Sequence, residues 1–205
     1  MIFKKGLPKF NQKLHNELIN NGWIQLKEPG SPAVAIALSI PFMILNLLIT
    51  VLFMSTYTMI SFEEFGFSLD DISITINLGM IMAVFSLIIL HEALHLVFIP
   101  NFKQSTKTVV GLTFFGAFVV TEEEIRKTRY ILITIAPFLI ISILLPLILN
   151  LLGYLTSSVK LFVMLNAMAS SVDILHLLLV LKQVPAKTLL KGNGPNTYWT
   201  YYLAP

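Results

Sequence analysis

Four apolar stretches, at residues 33–54, 76–98, 130–152 and 159–181, constrain this chain more than any other feature. A helix needs about 20 residues to cross the hydrocarbon core of a bilayer, and each stretch has that length. In lipid every backbone N–H and C=O must find a partner inside the protein, so spanning segments are helices or closed barrels. With 56% of the residues hydrophobic and only 12% charged, the predicted fold is an all-α integral membrane protein of about four transmembrane helices. Pro41 in the first stretch and Pro137 and Pro146 in the third predict kinks whose freed carbonyls need partners on neighbouring helices. No repeat or low-complexity segment divides the 205 residues. The expected organisation is an amphipathic amino-terminal segment over 1–32, a membrane-embedded unit over 33–184 and an aromatic-rich tail over 185–205.

Charge orients the spans, because lysine and arginine near helix ends stay on the cytoplasmic side. Lys4, Lys5, Lys9, Lys13 and Lys27 precede span one, and Lys103, Lys107, Arg126, Lys127 and Arg129 follow span two. Lys182, Lys187 and Lys191 follow span four, whereas the loop after span one holds Glu63, Glu64, Asp70 and Asp71 without a basic residue, and that after span three only Lys160. Both termini are therefore expected in the cytoplasm of a multi-pass protein of the cell membrane. The residues before span one lack the apolar core and small-residue site of a removable signal peptide. A net charge of +3, spread around apolar segments, does not indicate a nucleic-acid partner. The absence of cysteine excludes disulfides, thiolate metal sites and cysteine nucleophiles, so any metal must take nitrogen and oxygen ligands.

Within span two lies His91-Glu92-Ala93-Leu94-His95. Histidines four apart project from one helical face and can reach one metal ion, and the glutamate between them can act as general base toward water. The chemistry expected is hydrolysis, with zinc, one ion per chain, as cofactor. A third ligand must come from another span at a matching depth. Asp173 is the one acidic residue besides Glu92 inside any predicted span, and it lies about as far into span four as His91 lies into span two. A carboxylate in hydrocarbon costs about 2.5–3.5 kcal/mol even on insertion scales, so it needs a partner, and metal coordination supplies one. His176, three residues on and on nearly the same face, is the alternative ligand or a partner behind the ligands. Glu122, Glu123 and Glu124, followed by Arg126 and Lys127, read as a solvated interfacial turn, and His15 lies in a polar stretch with no site role.

These residues resemble the site-2 protease type of intramembrane metalloprotease, in which a His-Glu-x-x-His helix is paired with a later helix bearing an aspartate ligand and an upstream asparagine. Here the matching residues are His91, Glu92 and His95, then Asp173 with Asn166 before it. More closely, the chain resembles a compact bacterial family of zincin membrane peptidases catalogued chiefly as a domain of unknown function, over about span one to the end of span four. The resemblance implies Glu92 as catalytic base and Asn166 as a contact for substrate backbone or a transition-state oxygen; an interhelical hydrogen bond is the competing reading of Asn166. Ile174 stands where the site-2 signature has glycine, and no proline lies between Asn166 and Asp173, although the small residues of that stretch can admit a local irregularity.

Between spans two and three, β-branched and aromatic residues around Gly111 and Gly116, up to Val120, predict a short hairpin or re-entrant element, either filling a gap or offering an edge to an extended peptide. Phe3, Leu7, Phe10, Leu14 and Leu18, interspersed with lysines, suit an interfacial segment, and Tyr198, Trp199, Tyr201 and Tyr202 suit an aromatic anchor or a cover over the site. The reading as a whole is a membrane-embedded zinc metallopeptidase acting on a membrane protein or peptide, with the lipid bilayer as its other partner. The alternatives are a non-proteolytic metal-binding sensor or scaffold and a proton-coupled transporter.

Overall fold

A computed structural model describes residues 2–6, 8–67, 77–113 and 116–202, which leaves Leu7, Asp70, Asp71, Ile76 and the paired Phe114 and Phe115 of the sequence reading outside the described residues. Among the described residues four helices are long and apolar enough to cross a membrane: Pro32–Ser55, Leu78–Phe98, Lys127–Leu151 and Ser157–Gln183. The first two are continuous and are called α2 and α3, after a short α1 at Gln12–Asn20. Their starts follow from local chemistry. The Ser31 hydroxyl accepts from the Val34 amide ahead of a proline in the first turn of α2, and the Asn77 side chain accepts from the Met80 amide at the start of α3.

The other two spans are interrupted. The third comprises α4 (Lys127–Pro137), a π-helical stretch at Phe138–Leu144 and α5 (Leu145–Leu151). The fourth comprises α6 (Ser157–Ala169) and α7 (Ser171–Gln183), divided at Ser170. Packing follows the logic of a membrane bundle, where small and polar residues face inward and large apolar ones outward. On α2, Ser39, Asn46 and Thr50 are buried against α6 and α7, whereas Ile44, Leu48 and Leu52 are about half or more exposed. The Asn46 amide donates to the Ala167 carbonyl at 3.1 Å, and Ser39 and Ser171 share a hydrogen bond, so α2 braces span four on both sides of its interruption. On the other side α3 packs along α4.

The expectation of an all-α fold is corrected by two sheets. One has the order β1-β3-β4, with β1 (Ile2–Lys5) parallel to β3 (Thr108–Thr113) and β3 antiparallel to β4 (Gly116–Thr121). The second is antiparallel with the order β2-β7-β6-β5, formed by Ile24–Gln25, Asn196–Tyr201, Thr188–Asn193 and Ile125–Arg126. A hairpin between spans two and three is present, as the β-branched residues predict, but it is one part of a larger β structure. That structure escapes a local reading because its strands are two to six residues long and come from distant parts of the chain.

The second sheet covers one end of the bundle. Leu26, Val180, Val184, Leu190 and Trp199 form its buried core against α7. Tyr198 and Trp199, which the sequence suits to a membrane anchor or to a cover over the site, are buried in this cap, whereas Tyr201 is 59% exposed. The amino-terminal segment is clasped to the tip of the β6–β7 hairpin: the Asn193 side chain donates to the Asn11 carbonyl and accepts from its amide. Gly194 at that tip has φ +59°, and a Cβ there would meet the backbone of Lys9 and Phe10 at 2.8 Å, so glycine serves both the turn and the close approach. Lys127 and Arg129, at the start of α4, donate to the terminal carbonyls of Val184 and Phe98 and bring the ends of α7 and α3 to the same level.

A candidate metal centre and its cavity

Span two brings His91 and His95 to one face of α3, where their rings lie 5.0 Å apart and nearly perpendicular. Asp173, in the first turn of α7, extends its carboxylate between them: Oδ2 is 3.2 Å from His91 Nε2 and Oδ1 is 3.5 Å from His95 Nε2. Among the described residues this is the one group of three such side chains whose ligand atoms all lie within 4.8 Å. The interruption at Ser170 makes Asp173 a first-turn residue, where the helix dipole favours a carboxylate.

Each histidine is oriented from behind. His95 Nδ1 is 2.8 Å from the Ile133 carbonyl, which can only accept, so this nitrogen carries the proton and Nε2 presents a lone pair. That carbonyl is available because the residue four positions on is Pro137, which has no N–H to return to it. His91 Nδ1 is 2.9 Å from Asn166 Oδ1. The Asn166 amide is fixed in turn, since its Nδ2 donates to the Pro137 carbonyl at 3.1 Å and to the Ser142 hydroxyl at 2.9 Å, both on the irregular third span. Oδ1 is thus the atom facing His91, whose Nε2 is left free toward Asp173.

This donor set fits a tetrahedral zinc site. Ligand atoms about 2.0–2.1 Å from one tetrahedral ion stand ~3.3 Å apart, near the separations found here and longer than a good charge-assisted hydrogen bond. Three protein ligands of two imidazoles and one carboxylate, each imidazole held through its other nitrogen, have the composition of a catalytic rather than a structural zinc site.

A cavity of about 400 Å³ opens at this centre, lined in part by Glu92, His95 and Asp173. One wall is β4, the edge strand of its sheet, and another is the β6–β7 hairpin. Alternate residues of an edge strand turn their N–H and C=O away from the sheet. On β4 these include Val119, whose amide faces the Glu92 carboxylate, and Thr121, whose carbonyl oxygen would be 2.5 Å from a Cβ on Gly192.

The remaining sequence candidates are not among the three ligands, although His176 lines the same cavity. His176 stands apart from the three-residue group, with Nε2 2.8 Å from the Tyr130 hydroxyl and Nδ1 3.4 Å from Glu28 Oε1. Glu123 accepts from Ser105, Glu124 pairs with Lys191, and His15 Nδ1 is 2.7 Å from the Tyr198 hydroxyl. Sequence reasoning missed Glu28, Tyr130 and the Ile133 carbonyl. Only the last left a signal, a proline four residues downstream within an apolar span.

A family model described as "Putative zincin peptidase" matches residues 84–189, just over half of the chain. The chain belongs to this zincin family. The matched region contains His91, Glu92, His95, Asn166, Asp173 and His176, and excludes Glu28 and β7. The family's name carries metallopeptidase chemistry and zinc, in agreement with the donor set of the centre. Neither the curated proteins nor the solved structures yield a match.

Proposed function

We propose that this chain is a membrane-embedded zinc metallopeptidase of the site-2 protease type, with both termini cytoplasmic and a membrane protein or peptide as substrate. The observation that carries the reading is the convergence of His91, His95 and Asp173 on one point beside Glu92, inside a cavity walled by an edge strand. His91, His95 and Asp173 hold one zinc ion, which when bound acidifies water and polarises a carbonyl. Glu92 takes the proton from the attacking water and delivers it to the departing nitrogen. Asn166 is a positioning residue: with both ends of its amide engaged inside the protein, it keeps His91 in the tautomer that binds metal. An extended substrate pairs with β4 along the cavity and presents its backbone carbonyl near Glu92; such pairing satisfies peptide groups that a helix would otherwise satisfy internally.

The test combines metal content with cleavage in purified full-length protein. Wild type and Glu92→Gln are expected to hold about one zinc per chain, Asp173→Ala and His95→Ala to lose it, and only wild type to cleave offered membrane peptides. Zinc retention without cleavage by wild type overturns the peptidase reading. Absence of zinc from folded, metal-supplemented wild type overturns the metal centre itself.

A further inference from the structure

The centre leaves one largely buried acid without a catalytic task. Glu28, in the linker before α2, enters the same cavity as Glu92 and Asp173, and a second cavity on its other side shares Glu28, His176, Pro195 and Asn196. Its carboxylate accepts from the Thr197 amide at 2.7 Å and hydroxyl at 2.9 Å, with His176 Nδ1 at 3.4 Å. Burial pushes this carboxyl above the ordinary glutamate range, against the pull of the Thr197 hydrogen bonds. Among the described residues, the catalytic cavity is lined by three carboxylates and by no lysine or arginine. A divalent ion at the centre balances two negative charges, those of Asp173 and Glu92. The third, on Glu28, has no permanent cation beside it.

Glu28 also has a defined place in the cavity. Its partner Thr197 lies opposite Gly192 in the β6–β7 register, and Gly192 abuts Thr121, two residues beyond Val119 on β4. Val119 is the β4 residue whose amide faces Glu92. Glu92, beside β4, and Glu28, held by β7, thus line one cavity from two sides.

We infer that Glu28 is a specificity-determining residue that receives a cationic group of the substrate, an ammonium or guanidinium, within the cavity that holds Glu92. The inference rests on the peptidase reading and deepens it by naming a substrate class. The cation is either an internal lysine or arginine side chain or a free chain terminus, since the two present the same chemistry.

The experiment measures binding separately from cleavage. Zinc-loaded Glu92→Gln protein in detergent micelles is titrated with fluorescent peptides that carry lysine, norleucine or glutamate at each position in turn, with acetylated and free amino termini. The expected result is that lysine binds about tenfold tighter than norleucine at one position, or that a free terminus does so over an acetylated one. This ratio should fall to near one in Glu28→Gln and reverse toward glutamate in Glu28→Lys. Thr197→Val, which loosens the same contact without touching the charge, should keep the ratio. Equal binding of lysine and norleucine and of free and acetylated termini, or a ratio that survives Glu28→Gln, overturns the inference. A Glu28-dependent preference for cations in a protein that cleaves none of the peptides leaves the cation site standing and overturns the peptidase reading instead.

Discussion

Asn166 shows how much of the site can depend on one amide. It accepts from His91 and donates to two groups on the third span, so removing it leaves three buried polar atoms short of a partner. Asn166→Leu is expected to weaken zinc binding by about 10–100-fold, measured by competition with a chelator, while His91 and its neighbours remain in place. At this scale the sequence was informative where spacing alone carries chemistry. His91 and His95 follow from the helical repeat, and Asp173 from the cost of a charge at depth. The partners of Asn166 were not legible, because they lie on another span and their register depends on a local departure from the α-helix.

That departure belongs to the element scale. Pro137 and the π-helical stretch after it release the Ile133 and Pro137 carbonyls, and the two go to His95 and, through Asn166, to His91. Pro137→Ala restores an N–H that competes for the Ile133 carbonyl. The expected outcome is an unchanged helical circular dichroism spectrum with zinc affinity lowered about tenfold, read by chelator competition. The prolines predict kinks from sequence, but the carbonyls they free find their partners only in the packed bundle. A similar tolerance governs the cavity wall. A Cβ at Gly192 would meet the Thr121 carbonyl oxygen at 2.5 Å, so Gly192→Ala must push β6 away from β4. A loss of about 1–3 kcal/mol is expected, read by thermal unfolding, together with faster proteolysis of the hairpin.

Across the whole molecule, the capped end of the bundle is matched by an ion pair at the other ends of α2 and span four. Lys160, 6% exposed, donates to Glu64 at 2.8 Å and to the Met59 carbonyl, fastening the loop after α2 to the start of α6. Burial alone would raise the Glu64 carboxyl, but hydrogen bonds from Lys160, the Ser61 amide and Ser157, with the charge of Lys160, hold it below the ordinary glutamate range. A carboxyl depressed in the folded state contributes stability above its unfolded pKa and loses that contribution as pH falls through the folded one. Melting temperature should therefore fall on acidification below the ordinary glutamate range, and Glu64→Gln should flatten this part of the profile.

At the same scale, the four helices were legible because apolar length is a local property, whereas the cap was not. Its strands β2 and β7 meet across more than 170 residues, and Tyr198 and Trp199, which the sequence alone left between a membrane anchor and a cover, are buried within it. The order of those strands along the chain has a consequence for biosynthesis. β6 and β7 follow all four spans, yet they wall the cavity and secure Glu28. The three candidate ligands can therefore come together as soon as span four is in place, but the cavity beside them is completed only after the final hairpin has left the ribosome. Until then the nascent chain carries its three candidate ligands without a finished cavity beside them.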